Sequence, residues 1–321
     1  MKAIVFTKYG SPDVLQLKEV EKPIPNDNEV LVKVRASSIN DWDWCLLRGK
    51  PFVNRLLFGL QKPKIQILGC DIAGQVEAIG RNVKTFLPGD EVFGDLCESG
   101  FGGFAEYVCT NENKLTLKPS GLTFEEAAAI PQAAILGLVG LRDYGNIRPS
   151  QKVLINGAGG GAGSFAVQLA KLFGAEVTGV DSTIKLDFMR SIGADYVIDY
   201  TKEDFTKNGQ RYDLIHDGAV YRSILDCKRA LSPKGNYVIV GGSMVRVFQA
   251  LLLKPWISFT SKKKMRIQGH KPNKDLAFLK ELFEEGKVKS VIDKCYPLSE
   301  VPDAFRYFGE GRTLGKIVIS M

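Results

Sequence analysis

The stretch Val153 to Gly163, Val-Leu-Ile-Asn-Gly-Ala-Gly-Gly-Gly-Ala-Gly, constrains this chain more than any other. Val153 to Asn156 reads as a buried parallel strand, and from Ala162 onward the apolar residues have helical spacing until Gly174 stops them. A strand, a glycine turn and a helix start aim free backbone N–H groups and the positive end of a helix dipole at one point, where a pyrophosphate can approach. Two registers fit the dinucleotide fingerprint, Gly157-x-Gly159-x-x-Ala162 and Ala158-x-Gly160-x-x-Gly163, so Gly157, Ala158, Gly159, Gly160, Gly161, Ala162 and Gly163 are the candidate cradle. Glu176 to Val180 reads as the next strand. It ends on Asp181, about twenty residues past the glycines, where an acid can hold a ribose diol. Ser182, Lys185 and Tyr200 could instead build a phosphate pocket, and Gly241, just after a later strand, completes the candidate cofactor set.

The rhythm around this loop predicts two modules. From Val153 strands and helices alternate: strand 153–156, helix 162–173, strand 176–180, helix 184–192, strands 196–198 and 212–216, helix 220–231 and strand 236–240. Such alternation means an α/β, doubly wound parallel sheet of Rossmann type. Upstream lie short strands, 3–6, 15–19, 29–36, 71–79, 91–93 and 105–110, punctuated by prolines and glycines, which read as a barrel-like β module. Helical periodicity over 124–144 sets the boundary near residue 120. The expected division is therefore 1–120 and 121–269, with residues from about 270 to 321, through a last strand at Leu314–Ile319, returning to the first module.

Composition excludes several classes. With 45% hydrophobic and 25% charged residues the chain suits globular domains, not a disordered segment. The net charge of +7 is scattered apart from Lys262, Lys263 and Lys264, and no recognition motif accompanies it, so nucleic-acid binding is not expected. The six cysteines contain no CxxC pair, which points to reduced thiols. Residues 1–8 turn polar too soon for a signal segment, and the expected location is cytoplasmic. Residues 245–256, apolar and followed by the lysine run, read as a helix over the substrate cleft or a dimer contact; a membrane contact is the less favoured reading.

Several motifs together resemble the medium-chain dehydrogenase/reductase superfamily: Gly69-Cys70-Asp71-Ile72-Ala73-Gly74-Gln75-Val76, the Val83-x-x-Phe-x-Pro88-Gly89-Asp90-x-Val92 turn, Gly102-Gly103-Phe104-Ala105-Glu106-Tyr107-Val108, the glycine loop and the terminal Gly315-Lys316-Ile317-Val318. The resemblance implies a GroES-like β-barrel domain joined to the Rossmann domain, and a homodimer through the region near Val238 and Ile267. It also places Asn40, Cys70 and Gln132 where the zinc alcohol dehydrogenases of the superfamily carry metal ligands. No zinc is therefore expected, since a catalytic zinc needs about three nitrogen, sulfur or carboxylate ligands. Ser38-Ile39-Asn40-Asp41-x-Asp43-Trp44 with Arg48-Gly49 is similar to the zinc-free quinone-oxidoreductase branch, which resembles zeta-crystallin.

What the resemblance implies chemically is hydride transfer from NAD(P)H to a quinone or an α,β-unsaturated carbonyl, whose conjugation spreads the incoming charge without a Lewis acid. Asn40 and Asp43 are the candidate catalytic residues, Asn40 as a hydrogen-bond partner near the nicotinamide or the substrate carbonyl and Asp43 as organiser of the same loop or as a turn cap. Cys70 and Gln132 are candidate pocket residues, and His216 reads as structural. NADH is favoured over NADPH because Asp181 would repel an extra phosphate. A non-catalytic dinucleotide-binding sensor or scaffold, and a zinc-free alcohol dehydrogenase, are the competing readings.

Overall fold

Alternation decides the first strands. In Glu29–Ser38, Val30, Val32 and Val34 are buried while Lys33 and Arg35 face water, the period-two pattern of a strand with one packed face. The computed structural model describes the backbone of residues 1–242 and 244–321, and the side chains of those residues apart from Met244, Lys254, Trp256, Ile257, Ser258 and Thr260. The chain divides into two units, residues 1–135 with 271–321, and residues 136–270.

The first unit contains strands β1 (Lys2–Val5), β2 (Gln16–Glu19), β3 (Glu29–Ser38), β4 (Asp71–Ile79), β5 (Glu91–Asp95), β6 (Tyr107–Asn111) and β7 (Thr116–Leu117). The second unit contains β8 (Lys152–Asn156), β9 (Glu176–Asp181), β10 (Tyr196–Asp199), β11 (Tyr212–Asp217), β12 (Leu231–Ile239) and β13 (Lys264–Ile267), after which β14 (Ile292–Pro297) and β15 (Lys316–Ser320) rejoin the first. In that first unit a seven-stranded sheet runs β14-β15-β3-β4-β5-β7, with β6 also paired to β3. β15 lies antiparallel to β3, Val318 opposite Ser38, so the last strand does return to the first module. Its partner β14, and the helices Asp41–Arg48, Val53–Phe58 and Val301–Gly309, were not visible in the periodicity.

The second unit is a six-stranded parallel sheet in the order β10-β9-β8-β11-β12-β13. That is the doubly wound order, and its switch point lies between β8 and β11, where a crevice opens beyond the carboxyl ends of the strands. Each unit has its own apolar core. Phe6, Leu47, Phe104 and Phe305 belong to the first, and Leu154, Val180, Ile215 and Tyr237 to the second.

The helical segment expected over 124–144 is three pieces, Phe124–Ala128, Pro131–Val139 and a wider turn over Gly140–Tyr144. Pro131 lacks the N–H that would continue the first piece and opens the second. At Gly140 a Cβ would fall 2.6 Å from His216 Nε2 and from Gln268 Oε1, so the turn there depends on a bare Cα. The helix expected over 220–231 covers only Ile224–Ala230, because Ser223 caps it by accepting the Asp226 N–H at 3.1 Å.

Candidate active site

In the second unit the glycine loop follows β8 and leads into the helix Gly161–Leu172. Gly157 has φ +86°, a left-handed conformation, and its N–H and that of Ala158 donate to Val180 O at 2.9 and 3.2 Å. A Cβ on Gly163 would sit 2.0 Å from Gly157 O and 2.7 Å from Ala158 Cα, so only glycine lets the helix pack this closely on the turn. The N–H groups of Gly161, Ala162 and Gly163 stand in the first turn, where a helix supplies no acceptor of its own. Unused donors, a dipole end and open space beside Gly157, whose added Cβ would meet nothing nearer than 3.9 Å, fit a pyrophosphate.

Asp181 closes the far side of this loop. Its Oδ2 accepts the Gly159 N–H at 3.0 Å, its Oδ1 accepts the Ser182 N–H at 2.8 Å, and Lys185 Nζ stands 3.6 Å from Oδ1. Both side chains of this ion pair are nearly buried. The carboxylate that sequence alone presents as a free ribose acceptor is thus part of the loop's own scaffold, with its charge offset by Lys185. Tyr200 donates its N–H to Asp181 O at 3.1 Å and leaves its ring half exposed, while Gly241 is exposed past the end of β12. Beneath the loop, Asn156 Nδ2 and Tyr237 Oη both donate to the buried Asp217, each at 2.8 Å, and tie the carboxyl ends of β8, β11 and β12 together. His216, next to it, is fully buried, and burial lowers its pKa to about 4, a neutral packing residue.

The first unit gathers the other candidates into one buried polar cluster. Asn40 precedes the helix Asp41–Arg48, and Asp43 turns back to accept the Asn40 N–H at 3.0 Å while its other oxygen accepts the Gly69 N–H at 2.9 Å. Asn40 Nδ2 donates to Asp71 Oδ2 at 2.9 Å and to Cys70 Sγ at 3.3 Å, and Gln132 Nε2 donates to the same sulfur at 3.4 Å. The Gln132 N–H is received by Asp71 Oδ1 at 3.0 Å. Lys316 enters from β15, donating from Nζ to Asn40 Oδ1 and, at 3.1 Å, to Ile39 O, with Asp71 Oδ2 at 3.7 Å. Asp43, Asp71 and Cys70 are fully buried, and Asn40, Gln132 and Lys316 nearly so.

Burial dominates the electrostatics. It raises the Asp43 pKa to about 7, with the two backbone N–H bonds pulling the other way, and it raises that of Asp71 despite the Lys316 ammonium. The Cys70 thiol is pushed well up by burial and by the neighbouring carboxylates, and it leans on Asp43 Oδ2 at 3.6 Å. A thiol in that state is a poor nucleophile.

Sequence reasoning brought Asn40, Asp43, Cys70 and Gln132 forward and assigned no role to Lys316, Asp71 or Ser38, whose Oγ donates to Asp71 Oδ2 at 3.2 Å. A signal existed: Lys316 is the one charged residue in a strand otherwise made of Ile317, Val318, Ile319 and Ser320, and it has no water to face.

The donor set tests for zinc. Cys70 receives amide hydrogens from Asn40 and Gln132, whereas a metal there would need lone pairs from both neighbours. A trio of Cys70, Asp71 and Asp95 lies close enough to share an ion, but the Lys316 ammonium already stands against Asp71. The set of Asn40, Cys70 and Gln132 does not fit a catalytic zinc.

A glycine cradle at the switch point of a 3-2-1-4-5-6 sheet, in a chain whose other unit carries the buried polar cluster, defines a dinucleotide-binding oxidoreductase of two-module type. Comparison with known proteins agrees. Residues 26–120 match the alcohol dehydrogenase GroES-like domain and residues 192–319 match a zinc-binding dehydrogenase domain. The 2-methylene-furan-3-one reductase of Solanum lycopersicum is 37% identical across 99% of this chain and 79% of its own length. Quinone-oxidoreductase QR1 of Triphysaria versicolor is 33% identical across 99% of this chain and 98% of its own. The solved quinone oxidoreductase from Coxiella burnetii superposes with a TM-score of 0.89 at 28% identity, covering 100% of this chain and 99% of that one. The chain belongs to the medium-chain dehydrogenase/reductase superfamily, in its quinone-oxidoreductase-like branch. It is an NAD(P)H oxidoreductase.

Proposed function

We propose that this enzyme transfers hydride from a nicotinamide cofactor to a quinone or an α,β-unsaturated carbonyl without zinc. The observation that carries the reading is the pair of amide hydrogens aimed at Cys70 Sγ from Asn40 and Gln132, so that those two side chains turn donors and not lone pairs toward the sulfur. A substrate whose conjugation already delocalises negative charge suits such a site, and an isolated aldehyde does not. The names of relatives run the same way, including an NADPH-dependent alkenal/one oxidoreductase of Arabidopsis thaliana, 33% identical over 99% of this chain.

The bound nicotinamide supplies the hydride; the chain binds and orients it. Gly157, Ala158, Gly159, Gly160, Gly161, Ala162 and Gly163 would hold the pyrophosphate, and Asp181, Ser182, Lys185, Tyr200 and Gly241 would surround the adenosine ribose. NADH is favoured over NADPH by the Asp181 carboxylate, but narrowly, because Lys185 offsets its charge. Asn40 and Asp43 serve as positioning residues: both hydrogens of the Asn40 amide are already given to Asp71 and Cys70. Cys70 and Gln132 complete the pocket floor, and solvent supplies the final proton.

The six cysteines are free thiols, which supports a cytoplasmic location, and no helix among the described residues is long and apolar enough to cross a membrane. A homodimer would form through β13, the terminal strand of its sheet, which carries Ile267 and pairs with Val238 on β12.

The test is oxidation of NADH and NADPH, side by side, against quinones, enones and simple aldehydes, with metal content determined on the same sample. Turnover of the conjugated substrates by metal-free protein is the expected result. Stoichiometric zinc in active protein would overturn the zinc-free reading, and cofactor binding without turnover would favour a sensor or scaffold.

A further inference from the structure

The strand β11 leaves its sheet through Asp217-Gly218-Ala219-Val220-Tyr221, across the switch point from the glycine loop. That exit is strained. Val220 has φ +50°, and among the described residues it is the one β-branched residue with a left-handed backbone. A side chain branched at Cβ crowds the backbone there, so the conformation persists only where its surroundings impose it. The core imposes part of it: the Val220 side chain is fully buried in the cluster that holds Ile215, Tyr237 and Ile239.

Asp217, itself fully buried, imposes the rest. Its Oδ1 accepts the Val220 N–H at 2.7 Å, the Ala219 N–H at 3.1 Å and the Asn156 side-chain amide at 2.8 Å, while Tyr237 Oη donates to Oδ2 at 2.8 Å. One carboxylate thus bends its own loop back and ties it to the end of β8. The sheet does not need this tie, because the ladder already joins the two strands as far as Asp217 opposite Asn156. What the carboxylate fixes is Ala219. A Cβ built on Gly157 would meet, apart from its chain neighbours, only the Cβ and N of Ala219, both at 3.9 Å. The half-buried Ala219 methyl therefore borders the open space beside the glycine turn. Gly242 packs on the loop as well, for a Cβ there would lie 2.7 Å from Ala219 O.

We propose that Asp217 is a positioning residue for the dinucleotide: it holds residues 218–220 as a rigid wall across from Gly157, and the Ala219 methyl sets the width left for the pyrophosphate. The inference rests on the reading that lays the pyrophosphate on the glycine loop. A wall ordered before the cofactor arrives spares binding the cost of ordering it, and that is the use of strain held at this exit.

The test is fluorescence titration of the full-length protein with NADH and with NADPH, with the thermal transition of each variant recorded alongside. Asp217→Ala should raise Kd for both cofactors about tenfold, and Asp217→Asn, which keeps an oxygen for the same N–H groups, should recover most of that loss. Tyr237→Phe removes the hydroxyl that holds Oδ2; it should raise Kd about threefold and serves if the alanine variant fails to fold. Ala219→Leu grows into open space and should raise Kd about tenfold at an unchanged thermal transition. In turnover, KM for the cofactor should rise with Kd while kcat at saturating cofactor stays within about twofold.

Wild-type Kd in folded Asp217→Ala, in Tyr237→Phe where the alanine variant does not fold, or in folded Ala219→Leu would overturn the proposal and leave Asp217 a packing residue. A fall in kcat at unchanged KM would overturn it too. Gly163→Ala separates this wall from the cradle it faces. Wild-type affinity in that variant removes the cradle reading and the wall with it, whereas weak binding there beside wild-type affinity in the loop variants removes the wall alone.

Discussion

Lys316 on the last strand donates from Nζ to Asn40 Oδ1, across 276 residues of sequence. The contact fixes which way the Asn40 amide points: with Oδ1 held by an ammonium, Nδ2 faces Asp71 and Cys70. One buried cation thus orients the residue that sequence reasoning ranked first in the site.

Replacing Lys316 with Met removes the only cation that contacts Asp71 among the described residues and leaves that carboxylate buried and uncompensated. Such a loss typically costs about 3–5 kcal/mol. Urea denaturation should show it, and Lys316→Met combined with Asp71→Asn should recover part of it. Additive losses in the double-mutant cycle would mean that the two residues do not interact.

Asp43 predicts a dependence of stability on pH. Its folded-state pKa, about 7, lies above the ordinary carboxylate value, so the folded protein holds this proton where the unfolded chain releases it. The contribution is complete below about pH 4 and is lost as pH climbs through about 7, up to ~4 kcal/mol in the limit. The denaturation midpoint of the wild type should therefore fall between pH 5 and pH 8 on this account, by the general linkage sign. Asp43→Asn should flatten that slope whatever its absolute stability. A variant with the same slope would remove Asp43 as the titrating group.

Cofactor choice turns on Asp181 and Lys185. Asp181→Ser frees the Lys185 ammonium for a phosphate, so the ratio of kcat/KM for NADPH over NADH should rise, by roughly tenfold for a change of ~1.4 kcal/mol. The same substitution takes an acceptor from the Gly159 N–H, so KM for both cofactors should rise. An unmoved ratio would show that discrimination lies elsewhere.

Gly163→Ala tests the cradle. The added methyl would lie 2.0 Å from Gly157 O, and since the obstacle is backbone the helix start must move. A stability loss of about 1–3 kcal/mol is expected, with cofactor affinity, followed by fluorescence titration, falling further than stability does.

Most of the nucleotide unit was legible before the structure, because buried parallel strands carry continuous apolar runs and glycines mark their exits. The helix read at 162–173 differs from Gly161–Leu172 by one residue at each end, and in the first unit the strand read at 71–79 is β4 to the residue. The break at Pro131 and the wide turn at Gly140 were not legible, since both depend on what packs against them. Neither was the helix Asp41–Arg48, whose Trp-Asp-Trp-Cys sequence gives little period; it is held by Asp43 and its backbone partners. In the site, residue types found Asn40 and Cys70, but partners so distant in sequence that only the fold joins them, Lys316 above all, could not be read from spacing. Asp181 shows the converse: it stands at the end of the strand that the sequence predicts, yet its hydrogen-bond partners come from its own loop.

Because residues 136–270 lie between the two parts of the first unit, synthesis and assembly follow different orders. A ribosome delivers every strand of the parallel sheet before it delivers β14 and β15. During that interval Asp71 and Asn40 have no ammonium to meet, and β3 has an open edge where β15 will pair. The nascent enzyme therefore has every strand of its nucleotide unit while its β unit is unfinished, and β15 delivers edge closure and charge neutralisation in one step.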